Sequence, residues 1–389
     1  MKRNVLVIAG LAVLSTSAFA SKARMAALGQ GSSSYYLMDT RSVFLNPASL
    51  NETKNYIVTE WGSQLQADSA TSPRAEGGFF RENGAFNYGL YLGNNGDART
   101  YTSTSSATFL QQTNAMDLVL AGDMGMKWGA RLHYANSKDE TAGFDKKNSA
   151  FGLGFGVMHG DMEGYANVTL SDKSEGANKA GDTWKKKPGF QVGGSYKWSG
   201  MSFFADYSNT NEDITAATGS DLTNVAGIGA NSISAGTTVT HKTSEITLGA
   251  AKVHEVNPGA RIVTDARLVL GTDDVSGSTT TFNGKTKSTK LPVTLAMEAE
   301  ATSWLTLRGS VSQNVILGET KTIAGKKKTT ADTTNVNAGA TLSFGKMKID
   351  GLVGTTSSAG VDDSTAGNGK KGVLSTSNLL TRVGLTYNF

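Results

Sequence analysis

Short segments in which apolar and polar side chains alternate recur along this 389-residue chain. In residues 126–134, the even positions are all apolar and the odd positions are polar or glycine. Residues 291–301, 304–315 and 346–353 alternate in the same way and keep their charges on one face. Because successive side chains of a β-strand point to opposite faces, a charged face and an apolar face on one strand indicate two different solvents. The pattern predicts strands that face lipid on one side and a polar interior on the other.

Connectors of two sizes take turns between these segments. The short ones are typical of tight hairpins, and they lie near 82–84, 122–124, 160–161, 199–200, 257–259, 302–303 and Gly345. The long ones are rich in Ser, Thr, Asn, Gly, Asp and Lys, and they cover 64–74, 94–114, 136–147, 172–187, 210–242, 272–287, 316–332 and 356–377. Short periplasmic turns and long extracellular loops are the arrangement of a transmembrane β-barrel.

The segments predict an all-β fold, a transmembrane antiparallel β-barrel of about 16 strands, or 14 if the first two are discounted. The barrel would occupy residues 55–389 and close by pairing strand 379–389 with the first strand near 55–63. Closure is required because an open sheet edge in lipid leaves backbone groups unpaired. A β-propeller, suggested by turns every forty or so residues, has no recurring Gly-His or Trp-Asp signature to support it.

The N-terminal residues predict export. Lys2 and Arg3 precede an apolar stretch over 5–13, and 17–20 has the small-x-small form of a signal-peptidase site. We therefore expect residues 1–20 to be a cleaved signal peptide, whose loss lowers the formal net charge from +4 to +2. That near-balance gives no reason to expect a nucleic acid partner. The absence of cysteine means that the fold has no disulfides.

The last strand, 379–389, carries a resemblance. Its alternating apolar residues, with Tyr387 and the terminal Phe389, resemble the C-terminal sorting signal of bacterial outer-membrane β-barrels. The resemblance implies a multi-pass barrel in the outer membrane of a Gram-negative bacterium, recognised through this strand by the barrel-assembly machinery. Tyr387 and Phe389 would belong to an aromatic girdle at the periplasmic rim.

Residues 21–54 differ from the barrel pattern. Residues 21–31 are rich in small side chains and suit a helix, and Asn46-Pro47-Ala48 precedes the first strand. Asn-Pro also favours a plain turn. This segment resembles the N-terminal hatch of FadL-type transporters of hydrophobic compounds, which implies a plug; a periplasmic lead-in is the alternative. FadL-type barrels have fourteen strands and a longer hatch, so the resemblance does not directly imply that this chain transports hydrophobic substrates.

The face opposite to lipid supplies candidate pore-lining residues with mixed charge. Burying this many charged side chains without water would be costly. We therefore expect them either to form ion pairs or to line a water-filled lumen. One hypothesis is a basic ladder opposite Glu298 and Asp350 that sorts solutes by charge; its members would be Arg131, Arg267, Arg308 and Arg382. The alternative is that these arginines only form salt bridges within the barrel wall. The candidates are Lys127, Arg131, His133, Glu163, Asp206, Arg261, Asp265, Arg267, Glu298, Glu300, Arg308, Lys346, Lys348, Asp350 and Arg382.

Two loop features give further hypotheses. The loop 210–242 contains a less polar stretch at 224–233 that would fold inward and narrow the pore. The lysine runs 185–187 and 326–328 are expected on outward loops, where they would be solvated or bind phosphates of outer-membrane lipid and lipopolysaccharide.

The sequence therefore favours a porin-like channel for passive diffusion of small hydrophilic solutes, for which a homotrimer would fit. The alternatives are a FadL-type hatch-gated transporter of hydrophobic compounds and a structural or adhesive surface barrel with a closed lumen. Four histidines without metal-ligand spacing, and no Ser-His-Asp arrangement, give no catalytic residues, no metal site and no cofactor. We do not expect an enzyme.

Overall fold

The structure, a computed structural model, describes most of the chain. It covers residues 21–31, 34–62, 75–94, 109–110, 112, 114–140, 143–222, 233–277, 284–322, 325–328, 334–357 and 382–389. The expected signal peptide at 1–20 and the core of the proposed pore-narrowing stretch, 224–232, lie outside the described residues.

In the described residues, three short helical elements precede the first strand. They are helix α1 (Lys22–Ala27), helix α2 (Ser42–Leu45) and a 3-10 helix (Pro47–Asn51). The small side chains of 21–31 predict α1, and Pro47 suits the start of the 3-10 helix because its missing N–H has no partner there in any case. In the described part of the chain, no helix is long and apolar enough to cross a membrane.

Seventeen β-strands are described, nearly all of them joined to the next by a hairpin. Their bounds are β1 Tyr56–Trp61, β2 Ala75–Asn83, β3 Phe86–Leu92, β4 Ala115–Asp123, β5 Lys127–Asp139, β6 Lys146–His159, β7 Met162–Glu175, β8 Thr183–Trp198, β9 Met201–Thr215, β10 Thr238–Asn257, β11 Ala260–Gly277, β12 Gly284–Thr302, β13 Leu305–Thr322, β14 Gly325–Lys328, β15 Asn335–Phe344, β16 Met347–Ser357 and β17 Val383–Asn388.

Sixteen of these strands close into one antiparallel barrel. Each pairs with its neighbours in sequence, and β17 pairs with β1 from Tyr56↔Asn388 to Trp61↔Val383. The Phe389 N–H extends this seam by donating to the Asn55 carbonyl oxygen at 3.0 Å. The four-residue β14 pairs only with the end of β13, outside the ring, while β13 also pairs with β15. The predicted all-β barrel of sixteen strands is confirmed.

The outer face of the barrel is apolar. Leu118, Phe155, Leu248 and Leu295 are among many large apolar side chains left exposed, and in a transmembrane barrel such side chains meet lipid. Exposed aromatic side chains gather at the rim that carries the short hairpin turns, here called the short-turn rim; they are Phe86, Trp198, Phe203, Trp304, Phe344, Tyr387 and Phe389. The architecture is that of the outer-membrane β-barrels.

Several predicted loops are partly strand. Strands β7 and β8 take up 172–175 and 183–187 of the predicted loop 172–187, and β9 and β10 take up 210–215 and 238–242 of the predicted loop 210–242. A spanning strand needs only about 9–11 residues, so these strands project beyond the apolar band at the opposite, long-loop rim. The expectation that the lysine runs 185–187 and 326–328 lie on loops is wrong, because they belong to β8 and β14. Strand pairing continues in this part of β8, where Trp184 is buried in a cluster with Ile214 and Val239.

The inner face is not polar everywhere. On β1–β4 it carries Tyr56, Val58, Phe80, Tyr91 and Val119, which pack with the luminal residues Val43, Phe44 and Leu50 in one buried cluster. The apolar side of a strand therefore does not always face lipid in this barrel. A core of the kind found in soluble proteins lies inside this part of the wall.

Candidate functional site in the barrel lumen

Residues 21–31 and 34–54, here called the luminal segment, lie inside the barrel and contact its inner wall. At the start of this segment, the amide and hydroxyl of Ser21 both donate to Asp350 at 3.2 Å. Gly384 on β17 makes room for this contact, because a Cβ there would lie 2.1 Å from the Ser21 Cβ. The luminal segment thus begins in a fitted position against β16 and β17.

Helix α1 is held by a buried cluster of charges on β11–β16. The Arg24 Nε lies 2.9 Å from Glu298, and Arg261 reaches the same carboxylate at 2.5 Å. Arg308 contacts Glu298 as well, and it lies 3.5 Å from Asp350. One carboxylate therefore holds three guanidinium groups, one from the luminal segment and two from the wall.

A second buried cluster holds the middle of the luminal segment to β1–β3. Arg41 lies 3.3 Å from Glu60 and 3.5 Å from Glu76, and the Tyr91 hydroxyl donates to Glu60 at 2.6 Å. The guanidinium also stacks 4.3 Å from the centre of the Phe44 ring. Arg41 and Glu60 are each about 1 % exposed, so this pair is removed from water and its partners are needed to keep both ions charged.

The Asn46-Pro47-Ala48 turn sits against two wall glycines. The Asn46 side chain accepts from the Ala48 N–H at 3.1 Å and donates to Glu163 at 3.4 Å. A Cβ at Gly129 would lie 2.3 Å from the Pro47 carbonyl carbon, and one at Gly156 would lie 1.9 Å from the Asn46 Oδ1. Only glycine at these two wall positions permits so close an approach.

Residues 34–37 bring aromatic side chains to β9 and β11. The Tyr35 ring stacks on Phe204 with 4.8 Å between centroids, and the Tyr36 hydroxyl donates to Asp265. Arg267 lies 2.6 Å from Asp265 and 5.8 Å from the Tyr35 ring centre. Two tyrosines of the luminal segment thereby reach a third arc of the wall.

A cavity of about 450 Å³ remains between the luminal segment and strands β5–β10. Tyr35, Phe44 and Leu45 of the luminal segment contribute to its lining. On the wall, strand register places a polar row along one level, running through Arg131, Asn167, Gln191, Ser208 and Glu245. The cavity therefore combines aromatic and aliphatic surface with charged and amide groups.

Gln112 borders this cavity on the side of the long-loop rim. Its amide donates to Asp172 at 2.7 Å, and its carbonyl oxygen lies 2.9 Å from the His133 Nε2. The His133 Nδ1 lies 3.0 Å from Asp117, whose other oxygen accepts from Asn94. This chain of polar contacts ties the segment around 109–114 to the barrel wall.

A second, smaller cavity of about 30 Å³ lies nearer the short-turn rim. Tyr35 and Leu45 border both cavities. The wall of the smaller one includes Glu163, Tyr165 and Ser195 on β7 and β8, with Ser195 donating to Glu163 at 2.6 Å. The two cavities are thus stacked along the same pair of strands, and both are bordered by Tyr35 and Leu45.

The predicted pore-lining residues fall into several separate groups rather than one ladder. Arg131 lies 3.6 Å from Asp117, Arg267 pairs with Asp265, and Arg308 bridges Glu298 and Asp350. The register pairs Glu298 directly with Arg308, as their shared hairpin predicts. Arg131, His133 and Asp206 border the larger cavity and Glu163 the smaller one.

The remaining predicted residues lie near the ends of the lumen or beside the first charge cluster. Lys127 pairs with Glu52 in a half-exposed contact, and Glu300 and Lys346 are exposed at short turns. Lys348 and Arg382 are half-buried. In the described residues, no group of three or more His, Asp or Glu side chains is arranged to hold a metal ion.

Sequence reasoning missed several residues of the lumen. Glu60 lies on the same buried face as Tyr56 and Val58, so alternation of apolar and polar residues does not mark it as a luminal charge. Asn167 and Gln191 are uncharged and carry no signal, although both occupy inward positions of alternating strands. Their only signal is position: each lies an even number of residues from another inward-facing residue of the same strand.

Comparisons with known proteins place the chain near other barrels only in outline. No family model matches the sequence, and no curated protein matches it. The Pseudomonas putida toluene transporter TodX aligns with 95 % of this chain and 98 % of its own, at 12 % identity and a TM-score of 0.37. A Pseudomonas aeruginosa FadL homologue gives the same coverages at 11 % identity and 0.42. Vibrio cholerae OmpT aligns with 86 % of this chain and 97 % of its own, at 10 % identity and 0.38. Similarities of this size leave function to be argued from this chain's own residues.

Proposed function

We propose that this protein is a channel of the Gram-negative outer membrane that is gated by its luminal segment and admits small amphipathic molecules. The observation that carries the proposal is the position of residues 21–54 inside the barrel, where buried ion pairs at Glu298 and Glu60 hold them. A pore that is always open needs an unobstructed lumen. A segment fixed at this many points favours passage that begins with its movement.

The lining of the larger cavity supports the solute class. Tyr35 and Phe44 offer ring surface, and Arg131 lies 5.7 Å from the Phe44 ring with its guanidinium beside the same space. Ligand sites typically combine apolar walls with a few polar groups that fix orientation. A small molecule with an apolar ring and a polar head suits this lining better than a fully hydrated sugar. The passive porin favoured by the sequence is therefore the weaker reading, and the hatch-gated alternative is the stronger one.

Solute entry into proteoliposomes tests the proposal. We expect the intact protein to admit 4-hydroxybenzoate, an aromatic anion, while arabinose enters slowly in a swelling assay. Deletion of residues 21–54 should make arabinose entry fast, because the lumen of a sixteen-strand barrel is then wide enough for water. A gel shift between unheated and boiled samples would show that the deletion variant is folded.

The opposite result has a clear meaning. If intact protein admits arabinose rapidly and deletion of residues 21–54 leaves that rate unchanged, the luminal segment is no gate and the open-porin reading stands. If folded protein admits neither solute before or after deletion, the structural or adhesive reading gains support instead.

A further inference from the structure

The two luminal cavities are aligned along β7 and β8 in the direction of the barrel axis. The larger one is bordered on the long-loop side by Asp172 and Lys186, and the smaller one reaches Lys197, next to the turn at Ser199 and Gly200. Both touch the same stretch of the luminal segment. Along this part of the lumen, open space therefore occurs at two successive levels beside the same strands.

We propose that solute passes between the luminal segment and the β7–β8 wall, and that Tyr35 and Leu45 form the gate on this route. The inference rests on the proposed gated function and names the path and the moving part. Tyr35 and Leu45 border both cavities, so their side chains are what separates them. A local shift of these two residues joins the cavities without releasing the whole luminal segment.

On one side of the gate, Leu45 and Asn46 are held to the wall by single hydrogen bonds from amide groups. Asn46 reaches Glu163 at 3.4 Å, and Asn167 donates to the Leu45 carbonyl at 2.9 Å. Arg24 and Arg41 are instead held by ion pairs to Glu298 and Glu60. A shift at Leu45 and Asn46 therefore breaks fewer charged contacts than release of Arg24 or Arg41.

The wall beside the gate is shaped to leave space. Tyr165 lies across Gly193, where a Cβ would meet the tyrosine hydroxyl oxygen at 2.3 Å, and that hydroxyl donates to Asp206 at 2.7 Å. Holding Tyr165 flat against its own wall keeps the ring out of the path. Ser195, the neighbouring inward residue on β8, is small and donates to Glu163.

A cross-link tests the route, since the chain has no native cysteine to interfere. In the variant N46C/E163C, a short bifunctional thiol reagent would tie the luminal segment to β7 beside the gate. The matched control is N51C/N87C, which ties it to β3, where Asn87 donates to Asn51 at 2.8 Å. The readout is 4-hydroxybenzoate entry into proteoliposomes before cross-linking, after it, and after reduction.

We expect cross-linking of N46C/E163C to lower entry to the level of protein-free liposomes, with recovery on reduction, and cross-linking of N51C/N87C to leave entry unchanged. Retained entry with the first pair cross-linked would overturn the route. Loss of entry with both pairs cross-linked would also overturn it, because the whole segment must then move. If protein without any cross-link admits no 4-hydroxybenzoate, the gated function itself fails and the route falls with it.

Two single substitutions test the gate independently, and they should change the rate of 4-hydroxybenzoate entry in opposite directions. Leu45→Ala should speed entry by removing part of the gate between the two cavities. Ser195→Phe should slow entry by filling the smaller cavity. Ser149→Phe, a similar change at an exposed position on β6, serves as the control and should have no effect. Unchanged entry in both Leu45→Ala and Ser195→Phe, with folded barrels, would contradict the assignment.

Discussion

At the scale of single residues, the wall and the luminal segment are fitted to each other through glycine. Gly129 and Gly156 lie on neighbouring strands, β5 and β6, and the Asn46-Pro47-Ala48 turn occupies the space that two side chains would fill. The turn belongs to residues that the sequence already marks as unusual. The two glycines that receive it look no different from other strand glycines.

Gly129→Ala should loosen this turn. The new Cβ would lie 2.3 Å from the backbone carbon of Pro47, which has no flexible side chain to move away. We expect a loss of about 1–3 kcal/mol in the free energy of unfolding, together with a higher single-channel conductance in planar bilayers. Gly164→Ala is the control, because a Cβ there has 3.7 Å of clearance. Equal behaviour of the two variants would refute the fit.

Glu298→Gln should have a larger effect. It leaves Arg24, Arg261 and Arg308 close together without the carboxylate that holds them, and removal of one partner from a buried ion cluster costs about 3–5 kcal/mol. Urea unfolding of the purified barrel measures this. The control is Glu300→Gln, two residues along on the same strand and exposed, for which a change within about 0.5 kcal/mol is expected.

Residues of the site were predictable where a charged side chain lies on the polar face of an alternating strand. Glu298, Arg308 and Asp350 stand out because they are charges on the polar face of alternating strands, and the structure brings them together. Their main partner, Arg24, was not predictable, because no local pattern fixes where a short helix docks inside a barrel. Docking depends on contacts hundreds of residues apart in sequence, such as that between Ser21 and Asp350.

At the scale of elements, the long strands create a charged belt on the inner face near the long-loop rim. Strand register places Asp172, Lys186, Glu212 and His241 side by side on four consecutive strands, with alternating sign. Opposite charges directly across a strand pair stabilise the pairing, whereas like charges oppose it. The belt therefore helps the strands stay paired beyond the apolar band.

His241 makes this belt sensitive to alkaline pH. Burial disfavours the charged imidazole, but contacts with Asp273 and Glu212 outweigh burial and raise the His241 pKa from 6.5 to about 9. A group with a raised folded-state pKa stabilises the fold fully below its unfolded value and loses this effect as pH rises through the folded value. The contribution should be complete near pH 6 and absent above about pH 9.

The expected result is a pH-dependent difference between wild type and His241→Gln. The thermal unfolding transition of the variant in detergent should lie below that of wild type at pH 6, and the two should converge by pH 10. His254→Gln, an exposed position on the same strand, should show a difference that does not vary with pH. A constant deficit for His241→Gln would rule out charge as the cause.

The elements themselves were predictable to within a few residues where a strand crosses lipid. The errors all lie at the long-loop rim, where β9 and β10 continue to Thr215 and from Thr238. In these extensions the apolar side chains Trp184, Ile214 and Val239 are buried in one cluster instead of facing lipid, so the alternation that marks a membrane-crossing strand does not reveal them, although backbone hydrogen bonding continues. The strands are therefore longer than the alternating segments from which they are predicted.

At the scale of the whole molecule, closure depends on the shortest strands. The seam between β1 and β17 has six residue pairs, against fifteen for β9 and β10. The two strands come from opposite ends of the chain, so the barrel closes only when both are in place. Alternation and the strand count predicted this seam, because an even-numbered antiparallel barrel brings its first and last strands together.

Deletion of residues 383–389 should prevent closure. It leaves β1 and β16 with unpaired backbone groups, each costing several kcal/mol in lipid. We expect no heat-modifiable folded band on unheated gels after refolding into detergent. Phe389→Ala should still refold, because its backbone N–H remains able to donate to Asn55. Folding of the truncated chain would mean that the seam is dispensable.

The luminal segment also has a mechanical consequence. It reaches three arcs of the wall, at Glu298 on β12, at Glu60 on β1 and at Gly129 on β5. A hollow cylinder made of a single sheet resists stretching along its hydrogen bonds but flattens easily under sideways load. With a strut fixed to three arcs, we expect the cylinder to resist flattening, so that part of the lateral pressure of the bilayer is carried by contacts in its interior.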